Sequence, residues 1–192
     1  MTMALSRITT TPLVLSESDL KDHLRIDGVQ DDAALDAVQR AAVAYIEKAT
    51  NTQIGTGTFR LTLDRFDDGR GEIILPRPPL KSVEAIKYLD AACQEQVIDP
   101  ITYKVDMNGQ PGRIVLKAGQ QWPATADEAG AVIIEFTAGS DQVPETIRHL
   151  IRLVVGGWWE CREGTTDRRY DELPQSFAVS TLIQMHTMPE IV

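Results

Sequence analysis

The sequence predicts an α+β fold: a helical bundle of two N-terminal and two C-terminal helices, with a small antiparallel β-sheet or sandwich inserted between them. Three observations carry that prediction. Apolar residues recur every three and four positions from Leu35 to Ala49 and again from Ile147 to Trp158. From Gly55 to Ser140 the period falls to two, and proline and glycine breaks separate the runs. Val143-Pro144 then reopens a helical pattern. The expected organisation is one structural domain with an inserted subdomain: a lead-in and two helices over 1–54, a β-rich insertion over 55–140, and C-terminal helices and tail over 141–192.

In order along the chain, residues 1–15 read as an irregular lead-in ending in Leu13, Val14 and Leu15. Ser16 or Ser18 caps a short helix with Leu20, Leu24 and Ile26 on its apolar side, and Gly28 supplies its stop. Asp31 or Asp32 caps a longer helix running to about Thr50, with Leu35, Val38, Ala42, Tyr45 and Ala49 on one face. Six strand runs follow: Phe59–Leu63, Glu72–Leu75, Val83–Tyr88, Tyr103–Val105, Arg113–Leu116 and Val132–Thr137. Asn108-Gly109 and Pro111-Gly112 make the fourth and fifth a hairpin with a long turn. After Pro144, the residues Ile147, Leu150, Ile151, Val154, Val155 and Trp158 form a buried stripe. Gly156-Gly157 costs that helix about 1 kcal/mol per glycine against alanine, which implies close approach by another backbone. A charged loop spans Cys161 to Tyr170, and a last helix runs from about Gln175 to Met185 behind Pro174.

The composition is that of a globular chain, 43% apolar and 24% charged. No apolar run approaches membrane-spanning length, and Met1 to Thr11 lacks the features of a signal peptide, so folding in the cytoplasm is expected. Net charge is −9, from 28 acidic and 19 basic residues, which disfavours a sequence-independent grip on nucleic acid. An acidic wall suits a conduit from which DNA is repelled; solubility is the plainer reading of the same number.

Chemistry-bearing patterns are missing. His23, His149 and His186 lack metal-ligand spacing, and Cys93 and Cys161 are unpatterned. The acidic run from Asp64 to Glu72 puts Phe66 and Leu75 where a calcium loop needs oxygen ligands. No glycine pair is followed by the lysine of a phosphate cradle. No catalytic residue, cofactor or metal site is expected. Trp158-Trp159 could stack bases, but the helical phase buries Trp158 and leaves Trp159 beside it, at a position suited to a subunit contact.

Two segments carry a family resemblance. The first runs Leu13-Val14-Leu15-Ser16-Glu17-Ser18-Asp19-Leu20 through Ile26, then Asp31-Asp32-Ala33-Ala34-Leu35 and the helix through Tyr45-Ile46-Glu47-Lys48-Ala49-Thr50. The second runs from Val143-Pro144-Glu145 through Gly156-Gly157-Trp158-Trp159-Glu160 to Glu163. Together they resemble the head–tail connector (adaptor) proteins of long-tailed phages and gene transfer agents, and the strand region and final helix match in order. The resemblance implies a structural virion protein that assembles in the host cytoplasm into a homo-oligomeric ring of about twelve subunits. It implies docking beneath the portal protein, attachment of a tail-side stopper or tail terminator protein, and passage of DNA without specific binding.

The rival reading, a DNA-packaging or nucleic-acid-binding accessory protein, needs a basic face that the composition does not offer. A small enzyme would need convergent polar groups in a pocket. The candidate partner contacts are Trp159, Leu182, Ile183, Met185, Met188, Ile191 and Val192. The stretch from about Leu182 onward is expected to order only against a neighbour, because Pro189 ends the helix; the competing reading is that this helix completes its own bundle.

Overall fold

A computed structural model describes residues 3–66, 71–160 and 177–188. The chain separates into two units, each assembled from pieces distant in sequence. One holds Thr56–Ser140 together with the strand at Met3–Arg7; the other holds Thr11–Gly55 and the chain from Asp141 through the last helix.

The first unit consists of strands β1 (Met3–Arg7), β2 (Gly57–Leu63), β3 (Glu72–Ile74), β4 (Leu80–Leu89), β5 (Glu95–Val97), β6 (Tyr103–Asp106), β7 (Arg113–Leu116) and β8 (Val132–Ala138). Five form one antiparallel sheet in the order β1-β2-β8-β4-β5, and three form a second in the order β3-β7-β6. The alternation visible in the sequence is the alternation of burial. In β2, Phe59, Leu61 and Leu63 face inward; in β8, Val132, Ile134, Phe136 and Ala138 do. Ile73, Tyr103 and Ile114 of the second sheet join the same core, so the insertion is a small sandwich. Phe59 stacks on Phe136 with ring centroids 5.6 Å apart. The β6–β7 hairpin forms as expected, Tyr103 opposite Leu116 and Asp106 opposite Arg113.

Two strands are not foreshadowed by alternation. β1 lies inside the segment expected as irregular lead-in, and it becomes a strand by pairing with β2, Leu5 opposite Leu61 and Arg7 opposite Phe59. The Arg7 guanidinium carbon sits 5.5 Å from the centre of the Phe59 ring. β5 is only three residues long, folding back on β4 after the turn at Asp90–Cys93.

The second unit contains α1 (Glu17–Leu24), α2 (Asp32–Thr50), α3 (Glu145–Glu160) and α4 (Phe177–His186), and their apolar faces close on one core. Ser16 is the cap of α1: its side chain accepts from the Asp19 N–H while the Asp19 carboxylate accepts from the Ser16 N–H. Lys21 bridges Glu17 and Asp32 and so ties α1 to the start of α2. Leu35, Ile147, Leu150, Ile151 and Val154 are buried as expected, and Val38, Tyr45 and Trp158 pack against them half-buried.

Several details depart from the sequence reading. The turn that ends α1 uses Arg25, at φ 56°, and its N–H reaches the Lys21 carbonyl; Gly28 lies beyond it in the loop. The buried face of α2 is rotated toward Gln39, Val43, Ile46 and Glu47, because two polar side chains lie on the inward face. Among the described residues no backbone crowds Gly156: an added Cβ would meet only His23 Nε2 at 3.5 Å and Leu24 Cδ2 at 3.9 Å, and at Gly157 it would meet none of them within 4 Å. The loop from Cys161 to Tyr170 and the start of the last helix at Gln175 lie outside the described residues.

Candidate functional site

The candidate contacts among the described residues lie on the helices and the turn that follows α4. The buried side of α4 seats Val179, and Leu182 and Ile183 pack half-buried against the bundle core. Two polar contacts fix the end of the helix. His186 Nε2 lies 2.9 Å from the Thr146 hydroxyl, and the Met188 N–H donates to the Thr50 carbonyl at 2.9 Å, serving one of the carbonyls that α2 leaves without a partner at its end. This last turn therefore packs on the described part of its own bundle, with Leu182 and Ile183 left half-buried. Met185 remains 68% exposed, Met188 is half-buried, and Ile191 and Val192 lie outside the described residues. Trp159 packs half-buried against the bundle core beside Trp158, which meets Tyr45 edge-on with centroids 5.7 Å apart.

Phe177 was not among the expected contacts, yet at 87% exposure it is the most open large apolar side chain on α4. It stands two positions from buried Val179, about 200° round the helix, on the side that carries Met185. Counting the helical phase from Val179 would have identified it. An outward pair of one aromatic and one thioether suits protein contact better than chemistry.

On the sheet unit several charged side chains pair with one another. Arg60 meets Glu135 at 2.8 Å, Lys87 meets Glu95 at 3.5 Å, and Arg113 meets both Asp106 and Glu72 at 3.1 Å. The Arg113 hydrogen bond, followed by the Asn108 N–H, lowers the Asp106 carboxyl below its ordinary range. These cations are already balanced, so the positive charge they offer a phosphate chain is small.

Two open grooves flank this unit. One, of about 400 Å³, is lined by Asp64, Arg65, Asp127 and Glu128; the other, of about 480 Å³, runs past Phe66 and Trp122, whose rings stack 4.8 Å apart. Neither presents a base, nucleophile and orienting group in sequence. The exposed thiol of Cys93 lies 3.4 Å from the Glu128 carboxylate, and that hydrogen bond and charge raise its pKa, the reverse of an activated nucleophile. His149 is exposed, and no cluster of metal-binding side chains occurs among the described residues. No helix among them is long and apolar enough to cross a membrane.

Comparison with known proteins gives the geometry a context. A family model described as "Head completion protein" matches residues 13–168. No curated protein matches the sequence. Among solved structures, a chain in "Neck of empty GTA particle computed with C6 symmetry" is similar with a TM-score of 0.79 and 27% identity, over 98% of this chain and 97% of that one. A chain in "Virion of native gene transfer agent (GTA) particle" has a TM-score of 0.77 and 26% identity, with the same coverage. A chain in "Neck of native GTA particle computed with C12 symmetry" has a TM-score of 0.77 and 25% identity, again over 98% and 97% of the two chains.

Proposed function

The chain belongs to the head completion protein family, and from that membership we propose how it works as a structural head–tail connector of a virion. The observation that carries the reading is the likeness to neck chains of gene transfer agent particles across 98% of this chain, which takes in the sheet unit as well as the helices. A connector needs packing faces and not a reaction centre, and an exposed Cys93 thiol whose pKa is raised by Glu128 suits that role. The protein acts without catalysis and without a cofactor.

The subunit assembles in the host cytoplasm and enters the head–tail interface of the particle as a closed homo-oligomeric ring of about twelve copies. One face docks on the portal protein and the other receives a tail-side stopper or tail terminator protein. Trp159, Leu182, Ile183, Met185, Met188, Ile191 and Val192 are the contacts proposed from the sequence, and Met185 with Phe177 is the part of that surface that α4 turns outward. DNA passes through the channel without specific recognition, in keeping with a net charge of −9.

Removing the chain from a particle-producing strain tests the role. Filled heads and free tails that fail to join are expected by electron microscopy, and complete particles in its absence would refute the connector assignment. Duplex DNA tests the channel: the isolated protein should bind weakly, with an affinity that falls as salt rises. Tight binding at physiological salt would instead favour a packaging factor.

A further inference from the structure

Among the described residues the five-stranded sheet leaves one strand open at each end. β1 carries no lysine, proline or register break, three of the devices by which soluble sheets guard an edge, and its one charged residue, Arg7, lies at its end over Phe59. Its ladder alternates: the Ile8 N–H donates to the Thr58 carbonyl at 2.9 Å, so Ser6 and Ala4 bond to β2 while Met3 and Leu5 turn their N–H and C=O groups outward. At the far end the same alternation holds. Ile98 N–H donates to the Ile86 carbonyl at 2.9 Å and Asp90 N–H to the Gln94 carbonyl at 3.0 Å, so Gln96 bonds to β4 while Glu95 and Val97 face outward. All three residues of β5 are exposed, Val97 to 62%. Each neighbouring pair in the sheet is antiparallel, and β1 and β5 stand four steps apart, so the two open strands run in the same direction.

We propose that β1 of one subunit pairs in parallel with β5 of the next, so that the sheet continues from copy to copy round the ring. The inference rests on the connector reading and names the surfaces that close it. A cyclic ring needs two different, mutually fitting faces on every subunit, and a single sheet supplies both at its two ends. Pairing β1 with β1 is isologous and stops at a dimer, so a ring excludes it. The similar neck chains come from particles treated with C6 and C12 symmetry, which is the cyclic case.

Proline substitution isolates the contact, since proline removes one N–H and is tolerated where that N–H points away from the sheet. Val97→Pro deletes an outward backbone N–H at an exposed residue and should leave the thermal unfolding of the subunit unchanged. Leu5→Pro does the same at β1, and Leu5→Ala, which keeps the N–H, controls for lost packing. With each variant as the sole copy in a particle-producing strain, Val97→Pro and Leu5→Pro should lose the ring from the neck, while Leu5→Ala retains it. Mixed together, the two proline variants should form a one-to-one dimer and no ring, because each keeps one intact edge. Rings formed at wild-type yield by Val97→Pro overturn the edge pairing and leave the connector role standing. A wild-type chain that never enters a neck overturns the connector role and this proposal with it. Should Leu5→Pro fail to fold, Val97→Pro decides alone.

Discussion

In the sheet unit the strands satisfy one another's backbone groups, and the side chains between the two sheets are apolar, from Phe59 and Leu61 to Ile114 and Phe136. The helical unit differs. All four buried polar residues among those described, Gln39, Glu47, Thr50 and Gln53, lie in it. Gln39 and Glu47 serve stretches that have no ladder. Gln39 Oε1 accepts the Val14 and Leu15 N–H groups at 2.8 and 2.9 Å, while its Nε2 donates to the Leu15 carbonyl at 3.2 Å. Glu47 accepts from Gln53 Nε2 and the Ile54 N–H, and the Thr50 hydroxyl donates to Ile46. Irregular chain pressed against a helix must find partners for its backbone, and here side chains of α2 provide them. The lesson is that burial of polar residues tracks where secondary structure ends, not where function begins.

Substitutions can break that contrast, and the largest effects lie in the apolar cores. Phe136→Ala should cost about 3–5 kcal/mol and Leu150→Ala about 2–5 kcal/mol in chemical denaturation, because each empties a fully buried site. A change below about half a kcal/mol at Leu150 would put that stripe on the surface. Next comes the polar anchor. Gln39→Leu should cost about 1–3 kcal/mol despite its greater apolarity, since three backbone contacts, two of them buried, lose their partner. Phe136→Leu, an apolar swap in the sheet core, should keep every backbone bond; if Gln39→Leu proves neutral, the contrast between the units fails. Smaller again is Ser16→Ala, about 1 kcal/mol for the lost cap.

The smallest effect is pH-dependent. Hydrogen bonds from the Ser16 hydroxyl and backbone N–H, then the charge of Arg148, lower the Asp19 carboxyl below its ordinary range. A carboxylate lowered on folding stabilises above its unfolded pKa and loses that contribution as pH falls through the folded value. Wild type should therefore lose slightly more stability than Asp19→Asn on acidification below about pH 4. Equal slopes for the two proteins would show that the Asp19 contacts are worth nothing in solution.

The same contrast explains what could be read from the chain in advance. Phe59–Leu63 and Val132–Thr137 announce themselves because a ladder and a one-sided core impose a period of two. The α3 stripe is legible for the same reason at a period of three and four. Gln39 and Glu47 were hidden because glutamine and glutamate on a helix read as its solvent face, and nothing local shows that irregular chain will cover them. β1 was hidden because its partner, β2, lies beyond two helices in sequence. The proposed contact surface was legible only in part: hydrophobicity pointed to α4, but the side facing outward had to be counted from buried Val179.

The position of β8 has a consequence for how the chain comes off the ribosome. Although it is the last of the described strands in sequence, it lies in the middle of the five-stranded sheet, between β2 and β4. β1 and β2, or β4 and β5, can pair early, but the two pairs join only when Val132–Ala138 emerges, and α3 follows at once. Both units are thus completed only after Val132–Ala138 has emerged, through contacts of large sequence separation, which slows folding. A nascent chain released before Val132 presents two strand pairs whose inner edges have lost the strand that joins them, and its expected fate is aggregation.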